Sequence, residues 1–111
     1  MDPCNEPEIF RALRGIRRVV INTCHGGFSL SDQAWQRYCE LAGWDHTDEN
    51  LHAGMIARDD VNLVTVIDEL GITANGDFAE LAIVEIPWTV DWVLQEYDGK
   101  EWIAERHRTW P

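Results

Sequence analysis

The spacing of apolar and polar positions changes several times along the chain, and each change marks an element. Residues 19–24, Val-Val-Ile-Asn-Thr-Cys, read as a strand. Val19, Ile21 and Thr23 point one way, and Val20, Asn22 and Cys24 point the other. Both sets are largely apolar, so this strand is expected to be internal in its sheet. Gly26-Gly27 then breaks it. Ser29 or Ser31 caps a helix over 32–42, where Trp35, Tyr38, Cys39 and Ala42 recur at i, i+3, i+4 and i+7. Gly43 ends that helix. Residues 44–58 are polar and irregular and carry His46 and His52. A loop of that length within a compact domain is often functional or mobile.

Asp59 or Asp60 caps a second helix running to Leu70, with Leu63, Val64, Ile67 and Leu70 on its core face. Gly71 stops it. Asn75-Gly76 signals a turn. Residues 78–86 form a second strand, apolar on both faces and also expected to be central, with Pro87 at its end. Ahead of these, Pro7 opens a short helix over 7–14, and residues 1–5 are expected to be disordered.

Residues 91–107 read as a β-hairpin around Tyr97-Asp98-Gly99. A two-residue turn at Asp98-Gly99 would set Glu96 against Glu101, a like-charge pair. A three-residue loop sets Glu96 against Lys100, Leu94 against Trp102, Trp92 against Ala104 and Val93 against Ile103. Cross-strand pairs contribute roughly 0.2–1 kcal/mol each, so the three-residue loop is the expected register. The order α-β-α-α-β-β-β defines one α+β domain over 1–111. It has a mixed or mostly antiparallel sheet, helices packed on one face and a C-terminal hairpin.

Composition adds constraints. Hydrophobic residues make up 45% of 111, enough for one ordinary core. There are six tryptophans, so some must be buried with partners for their N–H groups, and an exposed one is a candidate interface residue. The formal net charge is −11. Residues 59–105 carry twelve acids against Lys100, so that stretch alone accounts for −11. Such a field repels nucleic acid and anionic membranes; it favours basic partners or simply maintains solubility. Arg11, Arg14, Arg17 and Arg18 form the main basic cluster. The three cysteines, Cys4, Cys24 and Cys39, form no disulfide framework. Neither a signal peptide nor a membrane span is readable, so a cytoplasmic protein with reduced thiols is expected.

The candidate chemistry centres on Cys24-His25-Gly26-Gly27-Phe28. Backbone N–H groups at the glycines, with the following helix N-terminus, can hold a phosphate or carboxylate, aided by arginines such as Arg106 and Arg108. The minority alternative makes Cys24 a nucleophile. His25 is poorly placed to serve as its base, because adjacent strand side chains diverge. The third possibility is a plain tight turn with Cys24 in the core. Cys39 reads as a small buried hydrophobe. No CxxC, HxxxH or HExxH spacing supports a metal, and no cofactor is expected.

Val-Ile-Asn-Thr-Cys-His-Gly-Gly-Phe-Ser-Leu-Ser at 20–31 and the ending at 96–110, Glu-Tyr-Asp-Gly-Lys-Glu-Trp-Ile-Ala-Glu-Arg-His-Arg-Thr-Trp, carry a resemblance. So do Arg-Asp-Asp at 58–60, Asp-Glu-Leu-Gly at 68–71 and Ala-Asn-Gly at 74–76. The chain resembles a group of small bacteriophage and prophage proteins over roughly residues 19–110. Val61 departs from that pattern, which has proline at the first helical position. The resemblance implies a phage accessory protein that antagonises a host process, such as antiviral defence, by stoichiometric binding of a host protein or a phosphorylated signalling ligand. The alternatives are a cysteine-dependent hydrolase or transferase using Cys24, and a virion or assembly component.

Overall fold

A computed structural model describes residues 15–106 of the chain. The helix expected over 7–14, the disorder expected over 1–5, Cys4, Arg11, Arg14 and the tail from His107 onward lie outside the described residues.

The first strand, β1 (Ile16–Asn22), starts earlier than the apolar run predicts, because its two arginines find partners. Arg18 forms a two-pronged ion pair with Asp68, at 2.5 and 2.7 Å. Arg17 stacks its guanidinium 4.4 Å from the centre of the Trp88 ring and donates to the Trp88 carbonyl. The second strand, β2 (Leu81–Pro87), pairs with β1 antiparallel, Val19 opposite Val84.

Helix α1 (Asp32–Ala42) has the caps its sequence predicts. The Ser31 hydroxyl accepts from the Ala34 N–H at 3.1 Å, and Gly43 takes the left-handed conformation at φ 76°. Helix α2 (Val61–Leu70) is capped by Asp60, whose carboxylate accepts from the N–H groups of Asn62 and Leu63. The intervening 44–58 segment is irregular, with one 3-10 turn at Ala53–Met55, and it buries Ile56.

The chain ends in a hairpin of β3 (Trp92–Tyr97) and β4 (Lys100–Glu105). The architecture is α+β: two helices and two antiparallel two-stranded sheets. Val20, Leu81 and Ile83 pack with Leu63, Val64, Val66, Ile67, Ala34 and Tyr38 on the helical side. Val19, Ile21 and Ile86, with Ala82 and Val84, pack against Trp92, Leu94 and Ile103 of the hairpin. The β1–β2 sheet is therefore a middle layer.

That layering corrects two expectations. Neither β1 nor β2 lies between two strands among the described residues. They are apolar on both faces because helices cover one face and the hairpin covers the other. The edge of β1 away from β2 is closed without a strand: the Val20 N–H donates to the Arg58 carbonyl and the Asn22 N–H to the Glu101 carboxylate, both at 2.8 Å.

The hairpin register also differs from expectation. Tyr97 faces Lys100, Glu96 faces Glu101, Gln95 faces Trp102 and Leu94 faces Ile103, so the loop has two residues. Asp98 at φ 50° and Gly99 at φ 87° supply the two positive angles that a tight Asp-Gly turn requires. The like-charge penalty is relieved from outside the hairpin. Arg58 forms a two-pronged ion pair with Glu101, one prong at 2.8 Å, and Glu96 turns back to accept from the Gly99 N–H.

Candidate functional site

The predicted site begins where β1 ends. Asn22 is fully buried, so each of its polar atoms needs a partner. Its amide nitrogen donates to the carbonyls of Cys24 at 2.7 Å and Gly99 at 2.8 Å. Its side-chain oxygen accepts from the Glu80 N–H at 2.8 Å. One asparagine thus ties the 24–27 loop, the hairpin tip and the entry to β2 together.

The two glycines are used by this packing. A Cβ on Gly26 would lie 1.7 Å from the Phe78 carbonyl oxygen. A Cβ on Gly99 would lie 2.5 Å from the His25 carbonyl oxygen and 2.7 Å from the Gly27 nitrogen. Gly27 itself, at φ 90°, turns the chain. Four residues then separate Gly27 from α1. The helix start already holds the Ser31 hydroxyl and an acid, Asp32, in its first turn.

The other predicted residues divide between places. Cys24 is partly buried, and its thiol donates to the Phe78 carbonyl at 2.9 Å. No histidine side chain is hydrogen-bonded to it among the described residues. Phe28 presents one ring face to the Arg58 guanidinium, 3.7 Å away, and lines a hollow of about 300 Å³ with Leu30, Trp35 and His52. Arg106 sits beyond the far end of β4, roughly 20 Å along the strand from Lys100. It lies beside Asp91, its N–H bonded to the Asp91 carbonyl. Arg108 lies outside the described residues. Cys39 is buried, and burial first, then nearby Asp45, pushes its thiol pKa above the ordinary value. Among the described residues no three His, Cys, Asp or Glu side chains gather to hold a metal ion, and no helix is long and apolar enough to cross a membrane.

His25 leads to a different feature. With Tyr97, Lys100 and Trp102 it lines a mostly apolar hollow of about 450 Å³ at the hairpin tip. Tyr97 is 72% exposed and Trp102 42% exposed, high values for such large rings. They share the outer face of the hairpin with Val93, Gln95, Lys100 and Ala104, opposite the core-facing Leu94 and Ile103. Trp102 donates its indole N–H to Gln95 across the strand pair at 2.9 Å, which fixes the ring on that face. Lys100 is the chain's single lysine; Glu96 and Asp98, both exposed, flank Tyr97.

Sequence reasoning missed Tyr97, Lys100 and Trp102 for a definable reason. The three-residue loop would pair Trp102 with Leu94 and turn it toward the core, since a one-residue slip moves every side chain to the opposite face. The Asp-Gly dipeptide was the signal for the register that exposes it. No family model, no curated protein and no solved structure matches this chain.

Proposed function

We propose that this chain is a non-enzymatic binding protein that docks, through the outer face of its hairpin, on a basic site of a partner protein. The observation that carries the reading is the exposed pair Tyr97 and Trp102 beside an apolar hollow, with the Trp102 ring held by Gln95. Exposed aromatic groups in a pocket are the residues that dominate protein–protein affinity. The charge of −11 supplies the complementary field and favours a basic partner. The resemblance to phage and prophage proteins adds the biological reading. The partner is a host protein, the encounter is in the host-cell cytoplasm, and occupying its site antagonises a host process such as antiviral defence.

The geometry gives less support to the other readings. A phosphorylated ligand held by the 24–28 backbone would compete with Asn22, Phe78 and Gly99 for the same loop. A cysteine enzyme would need a base within reach of Cys24, whose thiol instead donates to a backbone carbonyl.

The test is capture from host lysate by the immobilised full chain, with Tyr97→Ser and Trp102→Ser alongside. A specific basic protein should be retained at low salt and released by about 0.5 M salt, where the Debye length is well under 10 Å. Each substitution should reduce its capture at least about tenfold. Capture indifferent to both salt and the two substitutions would overturn the reading.

A further inference from the structure

The hairpin has two edges, and they differ. Which backbone groups point outward follows from the register. The Arg106 N–H donates to the Asp91 carbonyl at 2.7 Å, so these two residues are a hydrogen-bonded pair. The unbroken register carries that pattern to Val93 with Ala104, Gln95 with Trp102 and Tyr97 with Lys100. The backbone N–H and C=O groups of Trp92, Leu94 and Glu96 therefore point away from β4. None of these groups has a hydrogen-bond partner among the described residues. The free edge of β4 faces β1, where Glu101 receives the Asn22 N–H. Along β3 no element but β4 runs alongside among the described residues. Nor does β3 carry the usual guards of an open edge: it has no proline, no lysine and no bulge. A two-stranded ribbon is also the least stable form of sheet, and a third strand strengthens it.

Such an edge recognises an extended strand, because only a strand repeats its donors and acceptors at the spacing of alternate β3 residues. The side chains narrow the choice. Trp92 and Leu94 turn toward the core and are half-buried, so β-branched residues opposite them continue an apolar face. Glu96 shares that face by alternation and lies exposed near the hairpin tip. Asp91, at the other end of β3, is exposed and only loosely paired with Arg106 at 3.8 Å. Each end of the edge therefore favours a basic residue. A second copy of this chain is disfavoured as the occupant, because each copy carries a charge of −11.

We propose that the open edge of β3 accepts an extended segment of another protein as an added antiparallel strand, with β-branched residues at its centre and basic residues at its ends. The contact is separate from the aromatic face of the hairpin and does not need it. The probe is the synthetic peptide Arg-Lys-Thr-Val-Thr-Val-Lys, titrated into the full chain and followed by NMR. Laid antiparallel, its first lysine stands opposite Glu96, its valines opposite Leu94 and Trp92, and its last lysine opposite Asp91. The Leu94 and Glu96 amide protons should shift, and at saturation should exchange with solvent at least about tenfold more slowly. A peptide N-methylated at the first lysine and both valines loses the N–H groups that face β3, and should bind at least about tenfold more weakly. One N-methylated at both threonines keeps those groups and should bind like the parent. Glu96→Gln keeps an acceptor for the Gly99 N–H and should weaken parent binding about threefold.

No binding of the parent peptide, or equal binding of the two methylated ones, would overturn the added strand. So would binding that shifts Tyr97 and Trp102 and leaves the Leu94 and Glu96 amides unprotected. Self-association of the chain alone that protects the same two amides would overturn it as well, since a second copy would then occupy the edge. The docking reading is tested by capture through Tyr97 and Trp102, and the added strand by protection of Leu94 and Glu96, so either can fail while the other stands.

Discussion

The two faces of the β1–β2 sheet are held by different forces. On the helical face the closure is apolar: Leu63, Val64, Val66 and Val20 are almost wholly buried, and Trp35, Tyr38 and Trp44 form an aromatic cluster with ring centres 5.3–6.3 Å apart. On the hairpin face the buried apolar set is smaller, Val19, Ile21 and Ile86, and a polar lock completes it. Asn22, Glu101 and Arg58 join β1, β4 and the end of the 44–58 segment. Apolar burial is non-directional and tolerant of small shifts. A buried polar lock is directional, and each member left alone carries a desolvation penalty. The helical face therefore supplies bulk stability, and the lock sets where the hairpin tip sits and hence where Tyr97 and Trp102 stand.

The largest expected effects test that contrast directly. Leu63→Ala should destabilise the chain by about 2–5 kcal/mol through lost burial and a cavity. Glu101→Ala should cost about 3–5 kcal/mol, because it strands Arg58 and removes the acceptor of the Asn22 N–H. The size is similar, but the location differs. Hydrogen exchange should show Leu63→Ala lowering protection throughout, and Glu101→Ala lowering it most in β3 and β4 while α1 and α2 keep theirs. A double replacement, Arg58→Met with Glu101→Leu, should recover part of the loss, since an apolar pair can substitute for a buried ion pair. Recovery should stop short by about 1–3 kcal/mol, the cost of the orphaned Asn22 N–H. Uniform loss of protection in Glu101→Ala would show that the two faces are one cooperative unit.

The next effect separates adjacent glycines that look equivalent in the sequence. Gly26→Ala drives a Cβ against the Phe78 backbone and should cost about 2–3 kcal/mol. Gly27→Ala meets open space and carries only the strain of its positive φ, about 1 kcal/mol. Denaturant midpoints rank the pair. Equal costs would mean that the Gly26–Phe78 approach is not what holds the loop. Weak phosphate binding abolished by Gly27→Ala would instead revive the anion reading of that loop.

These cases also show what the sequence could disclose. Period and capping carry local information, so α1 was readable from its apolar face, Ser31 and Gly43, and α2 from Asp60 and Leu63. Which side chains share a face of β1 and of β2 was readable too, because alternation is local; which face of β4 turns inward was not. The hairpin register was not, although it rests on a six-residue span. The argument against facing Glu96 and Glu101 was sound for an isolated hairpin. It failed because Arg58, forty-three positions before Glu101, neutralises one of them. The packing around the proposed anion loop was hidden in the same way. Gly26-Gly27 suits an open nest and a closely packed turn equally well. Phe78 and Gly99, brought in by tertiary folding, pack against the loop, and no local signal discloses that contact.

The smallest effect lies on the helical face, at its polar link. Tyr38 is buried between Trp35 and Trp44, and its hydroxyl donates to Asp60, the cap of α2, at 3.0 Å. Burial first, and the Asp60 carboxylate second, push the phenol pKa from its usual 10 up to about 12. Below pH 10 both folded and unfolded chains keep the proton, and the bond contributes fully, about 1 kcal/mol. As pH rises through 10 the unfolded chain releases its proton first, which draws the equilibrium toward unfolding; the contribution is lost as pH passes about 12. Tyr38→Phe lacks that proton. It should be slightly less stable at pH 7, and its deficit should shrink as pH rises from 10 to 12. Parallel stability curves over that window would mean that the hydroxyl titrates as if exposed. The helical face would then close by apolar contact alone, and its contrast with the hairpin lock would be sharper.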